Sequence, residues 1–174
     1  GSSLNRGAPT AVSLGFSFSS VVVGLVHSCG VTTSGEAYCW GNNSSGQLGD
    51  GTATLRDVPT LVSGGLSWAS LSLGTNHSCG ITTGGVAYCW GANGVGQLGD
   101  GTTTDRSTPV AVVGGYSLVG ISAGQGHTCA LTAIGKAYCW GSNGWGTLGD
   151  STTILRSSPV AVRGGLSFQL ISAG

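Results

Sequence analysis

Six cysteines and three histidines are the residues of this chain best equipped for chemistry, and their spacing is regular. His27, His77 and His127 each stand two residues before a cysteine (Cys29, Cys79 and Cys129), and a second cysteine follows ten residues later at Cys39, Cys89 and Cys139. Thiols and imidazoles this close in sequence can bind a metal, form a nucleophile–base pair or, for the thiols, oxidise to disulfides. The segment between the cysteines favours the last. If Cys29 faces Cys39 across a hairpin, then 30 faces 38, 31 faces 37 and 32 faces 36, leaving Thr33, Ser34 and Gly35 as a three-residue loop. Such loops favour a left-handed residue at their last position, which Gly35, Gly85 and Gly135 supply. That register sets the thiols directly across the ladder, so the pairs Cys29–Cys39, Cys79–Cys89 and Cys129–Cys139 are predicted as disulfides. They imply an oxidising, extracellular or cell-surface location. A zinc site built from His27, Cys29 and Cys39 lacks a compact fourth ligand and any C-x-x-C pair. Buried free thiols in a cytosolic protein are the other alternative. Neither a metal nor a cofactor is expected, and a site repeated three times at identical spacing reads as scaffold rather than as catalysis.

The elements that hold these residues follow from the same repeat. A period of 50 residues runs through the 174-residue chain without insertion or deletion. Tyr-Cys-Trp-Gly recurs at 38–41, 88–91 and 138–141, Leu-Gly-Asp at 48–50, 98–100 and 148–150, and Pro at 9, 59, 109 and 159. The first 24 residues match the last 24 in frame. Short β-branched and aromatic runs alternate with Gly, Asn, Ser and Thr clusters, and no stretch shows a helical period. In the second unit the predicted strands are 59–62, 68–73, 77–82 and 86–90. Four short antiparallel strands per 50 residues predict an all-β chain of β-propeller blades. The blades expected are 8–41, 58–91 and 108–141, with a half blade at 158–174, about three and a half in one partial propeller. Such an object has open strand edges, so the chain is expected to be a segment of a longer, near seven-bladed protein or to join further copies of itself head to tail.

His-Ser-Cys-Gly-Val-Thr, Tyr-Cys-Trp-Gly and Gly-Gln-Leu-Gly-Asp-Gly-Thr together resemble the repeat of the regulator of chromosome condensation family, whose members are mostly seven-bladed propellers. The resemblance covers nearly the whole chain, with Thr147 replacing Gln in the third copy. The kelch repeat fits less well, because its Tyr and Trp lie further apart than here. The resemblance implies a structural hydrogen bond for His27, His77 and His127. Trp40, Trp90 and Trp140 are expected to pack between blades, as large aromatics dominate such cores. Asp50, Asp100 and Asp150 are expected to brace the Leu-Gly-Asp turns, paired with Arg56, Arg106 and Arg156 of the same or the next unit. One carboxylate per turn is too few for calcium.

Composition narrows the function. With 34 glycines, six basic and six acidic residues and zero net charge, the chain lacks the basic footprint of a nucleic-acid or anionic-membrane binder. No apolar run approaches the ~20 residues that span a bilayer. The expected partner is another protein or a further copy. Function is sought where the units differ, in loops that share one end of the repeat. There Trp145 stands in a Gly-rich loop opposite Ser45 and Val95, and Val95, Asn143 and Ile154 join it as candidate partner contacts. A non-enzymatic extracellular binding or structural module is the leading expectation. The alternatives drawn from the resemblance are an inhibitor of a secreted enzyme such as a β-lactamase, and a guanine-nucleotide exchange factor for a small GTPase. The latter would need an inserted wedge and basic extensions that this sequence lacks. No enzyme motif occurs outside the repeat.

Overall fold

The computed structural model describes residue 15 and residues 17–174. Twelve strands occupy them and form three four-stranded antiparallel sheets. The first contains β1 (Phe18–Val23), β2 (His27–Thr32), β3 (Ala37–Gly41) and β4 (Arg56–Leu61). The second contains β5 (Trp68–Leu73), β6 (His77–Thr82), β7 (Ala87–Gly91) and β8 (Arg106–Ala111). The third contains β9 (Leu118–Ala123), β10 (His127–Thr132), β11 (Ala137–Gly141) and β12 (Arg156–Ala161). Within each sheet, strand order follows chain order. The inner strands β1, β5 and β9 adjoin one another, as in successive blades of a propeller.

The hairpin of each sheet has the register the turn chemistry demands. Cys29 faces Cys39, and Thr32 N donates to Glu36 O at 2.8 Å, closing the loop at Gly35 with φ 88°. Cys79–Cys89 and Cys129–Cys139 face each other in the same way. All three pairs are disulfide-bonded, and no described cysteine is free.

The grouping of strands into blades differs from the expected one. The proline-bearing strand does not open the next blade but closes the preceding one. Tyr38 faces Leu61 and Gly41 faces Arg56, so β4 returns along the outer side of β3, and the sheets span 18–61, 68–111 and 118–161. The blades expected at 8–41, 58–91 and 108–141 are therefore shifted by one strand, and the stretch 8–14 lies outside the described residues. The physical reason is local. A proline has no N–H to give a ladder, so Pro59, Pro109 and Pro159 belong on an outermost strand. The half blade expected at 158–174 is divided accordingly, its first part completing β12 and its remainder forming no assigned strand.

The core lies between sheets. Cys29, Val31, Cys39 and Leu48 of the first unit pack with Trp68, Leu71 and Trp90 of the second. Cys79, Ile81, Cys89 and Leu98 pack likewise with Leu118, Ala130 and Trp140. On the far side of the third sheet the layer shrinks to Cys129, Cys139 and Leu148. Sheets covered on both sides explain why β6 is buried along almost its whole length instead of alternating.

Candidate functional site

The long β3–β4, β7–β8 and β11–β12 connections lie at one end of the sheets, together with the short β1–β2, β5–β6 and β9–β10 turns. Each long connection is knitted by one asparagine. Asn43 is fully buried; its Oδ1 accepts from Leu48 N, and its Nδ2 donates to Asp50 Oδ1, Thr52 O and Thr54 O at 3.1 Å. Asp50 Oδ1 also accepts from Thr52 N and Thr52 Oγ1, and Arg56 Nε donates to Asp50 Oδ2 at 2.8 Å. Asn93–Asp100–Arg106 and Asn143–Asp150–Arg156 repeat the arrangement. Each arginine thus serves the aspartate of its own unit. Burial raises the Asp50 and Asp100 carboxyls, but hydrogen bonds from Thr52 and Arg56, and from Thr102 and Arg106, outweigh it and hold both below the usual carboxylate value. Asp150 is lowered to about 2, chiefly by the Thr152 hydroxyl. These connections are therefore rigid platforms, although they contain no regular structure.

Histidines join one sheet to the next. His27 Nε2 lies 2.8 Å from Ser78 Oγ, and the Ser78 hydroxyl donates its single proton to Gln47 O at 2.7 Å. His27 Nε2 must therefore be the donor, which leaves Nδ1 as a buried lone pair without a partner. His77 repeats this with Thr128 Oγ1 at 2.9 Å, and Thr128 donates to Gln97 O. Protonating either ring would bury a charge, so desolvation lowers His27 to about 4 and His77 to about 3; His127, less buried, is lowered by the same cause. An unfolded chain takes up these protons near pH 6.5 while the native state refuses them. Stability is therefore full above pH 6.5 and falls as the pH drops from there toward 4, by about 2 kcal/mol for each of the two rings at pH 5. The aspartates add their own loss only below the ordinary carboxylate value. Denaturant midpoints at pH 7 and pH 5 measure the effect, and equal midpoints would contradict neutral buried imidazoles.

Of the candidate partner contacts, the structure brings Val95 and Trp145 together and withdraws one residue. Trp145 is 96% exposed and, with Val95, borders a cleft of about 360 Å³ that also includes Gln125, His127 and Thr147. Ile154 is exposed in the β11–β12 connection, beside Leu155. Asn143 is no partner contact, because its side chain is buried and spent on Asp150, Thr152, Ile154 and Leu148 within its own unit. An asparagine recurs at 43, 93 and 143 with the repeat step, a signal that marked it as scaffold. Among the described residues no group of three or more His, Cys, Asp or Glu gathers to hold a metal.

Repeat-family models for the regulator of chromosome condensation (RCC1) repeat match residues 34–81 and 84–131, and a second such model matches 18–47, 68–97 and 118–146. The chain belongs to the RCC1 repeat family. No curated protein sequence matches it. Among solved structures, human WBSCR16 is 22% identical with a TM-score of 0.76, covering 85% of this chain and 38% of its own. Prp20p from Saccharomyces cerevisiae is 18% identical with a TM-score of 0.80, covering 90% of this chain and 42% of its own. The ectodomain of the receptor kinase CR4 from Physcomitrella patens is 26% identical with a TM-score of 0.53, covering 77% of this chain and 32% of its own. The chain thus spans about two fifths or less of the length of these three structures, and it resembles part of each in fold.

Proposed function

We propose that this RCC1-type propeller is an extracellular, non-enzymatic protein-binding module whose partner docks on the end formed by the long connections. The observation that carries this is a contrast within those connections. Their periodic residues are turned inward and hydrogen-bonded, whereas just before the arginine, where the second unit carries Thr104-Asp105, the first and third units expose aliphatic side chains: Leu55 at 59%, Ile154 at 62% and Leu155 at 40%. Rigid platforms presenting aliphatic side chains suit protein recognition, because little conformational freedom is lost on docking. Prp20p binds Gsp1p and histones, and the CR4 structure is a receptor ectodomain. These relatives support protein binding and an outside location respectively, and one disulfide per sheet supports the latter.

The test uses the folded protein as bait in the extracellular fraction of its source. A specific partner is expected to be held by the wild type and by Ile134→Asp, which alters an exposed residue in the β10–β11 turn at the opposite end. Combining Ile154→Asp with Leu155→Asp is expected to weaken its affinity about tenfold or more. A partner lost with Ile134→Asp and retained by the double variant would assign binding to the other end.

A further inference from the structure

At the end that carries the long connections, the two internal junctions share one backbone seam. Gly51 N donates to Ser107 O and Gly101 N to Ser157 O, both at 2.9 Å. A Cβ on Gly46 would lie 2.7 Å from Ser107 Cα, and one on Gly96 would lie 2.7 Å from Ser157 Cα. Each connection thus presses against the start of the outer strand of the following sheet, β8 at the first seam and β12 at the second. Both seams lie between four-stranded sheets, so the side chains along them decide what each can hold.

Those side chains differ sharply on the shared backbone. At the first seam, Ser44, Ser45 and Thr52 of the first connection meet Asp105 and Ser107 of the second unit around a cleft of about 300 Å³. The equivalent positions at the second seam hold Gly94, Val95, Thr102, Leu155 and Ser157. Three positions therefore change together, from two hydroxyls and a carboxylate to groups that form no side-chain hydrogen bond. The second connection stands between an acidic, polar cleft on one side and an apolar one on the other.

The polar cleft is built of acceptors. The Ser44 hydroxyl and Ser44 N both donate to Asn42 Oδ1, at 2.9 and 3.1 Å, so the Ser44 oxygen has only lone pairs to offer. The Thr52 hydroxyl spends its proton on Asp50 Oδ1 in the same way. Asp105 Oδ1 accepts from Asn93 N at 2.7 Å, which fixes the carboxylate, while Oδ2 has no partner among the described residues. Positions 55 and 155, both Leu, cannot make this bond. Asp50, Asp100 and Asp150 are each neutralised by the arginine of their own unit, and Asp105 is the remaining charge on the three connections, exposed and without a cation beside it among the described residues. A fixed negative charge among acceptors selects a group that only donates. The head groups of Lys and Arg carry donors and no acceptor, whereas a divalent metal ion needs more oxygen ligands than a single carboxylate and its neighbours supply.

We propose that the protein partner inserts a lysine or arginine side chain into the cleft between the first connection and β8, where it pairs with Asp105, while an apolar residue of the same partner settles on Leu155 across the second connection. The inference rests on the docking end described above and gives that partner a chemistry: a cationic group and an apolar group, spaced to straddle one connection. Because Asp105 is already held by Asn93 N, pairing orders only the incoming side chain. The charge also steers the partner's approach, so binding weakens as salt rises.

The test selects binders of the folded protein from a library of random peptides displayed on phage, which offers cationic and neutral side chains alike. Asp105→Asn keeps an oxygen for Asn93 N and removes the charge, so it leaves the fold intact. Selected peptides are expected to carry Lys or Arg and to bind Asp105→Asn about fivefold more weakly than the wild type, with the difference shrinking at high salt. Replacing that Lys or Arg by norleucine is expected to weaken binding to the wild type by the same factor and to leave binding to Asp105→Asn unchanged, the coupling that a direct pair requires. Two losses that simply multiply would overturn the proposal, as would binders that carry no cation. Binders weakened by Ile154→Asp with Leu155→Asp yet indifferent to Asp105→Asn would overturn the cationic seat and leave the docking end standing. Binders indifferent to all three substitutions would overturn both.

Discussion

Trp90→Ala is expected to destabilise the protein by about 4 kcal/mol, a large part of the 5–15 kcal/mol that holds a domain of this kind together. The indole is completely buried between the first and second sheets, where it packs against Trp68 with centroids 5.3 Å apart and donates to Gln47 O. Its removal leaves a cavity at the junction and takes one of two donors from a buried carbonyl. The turn that receives it has no means of closing in. Gly49 has φ 72°, and a Cβ there would come within 2.7 Å of Trp90 Nε1, so the backbone already touches the ring. Trp40→Ala serves as the control, because Trp40 holds the same repeat position but is only partly buried and makes no inter-sheet hydrogen bond among the described residues. Its loss is expected to cost about 1 kcal/mol, in line with partial burial. Urea midpoints of the two variants make the comparison; equal losses would show that the indole works within its own sheet and not between sheets.

Removing a disulfide gives the second large effect. Substituting Ala for both Cys79 and Cys89 reopens a link between residues ten apart in sequence, worth about 3 kcal/mol on the chain-entropy argument. Both side chains are fully buried in the layer shared with Leu118 and Trp140, so lost packing adds to the loss of the cross-link. Reduction of all three disulfides together is expected to lower the denaturation midpoint by more than any single pair does. An identical midpoint with and without reductant would mean that the links add nothing to native stability.

The hairpins were legible in the sequence because one short-range rule governs them. Alternation between Cys29 and Cys39, closed by a loop ending in Gly35, fixes a single register, and the disulfides follow from it. The blade boundary was not legible from periodicity alone, because a repeat can be cut at any point without changing its period. What decides it is the outer position of β4, for which Pro59 was the available signal. Asn143 was misread for a related reason. It sits in a loop whose neighbours vary, but its recurrence at 43, 93 and 143 was the available signal that the connection folds back and spends it on Asp150 and Thr152. The role of the Gln47 and Gln97 carbonyls at the junctions could not be read at all, since a main-chain acceptor carries no side-chain identity. Trp145, by contrast, drew notice through composition, as a large aromatic where its counterparts are Ser45 and Val95.

The most direct test of an oxidised, disulfide-locked propeller is intact mass under denaturing, non-reducing conditions, with thiol alkylation before and after reduction. Three disulfides require a mass six hydrogens below the all-thiol value, no alkylation before reduction and six alkylated cysteines after it. Six thiols that alkylate without reduction would contradict both the cross-linked scaffold and the extracellular location inferred from it.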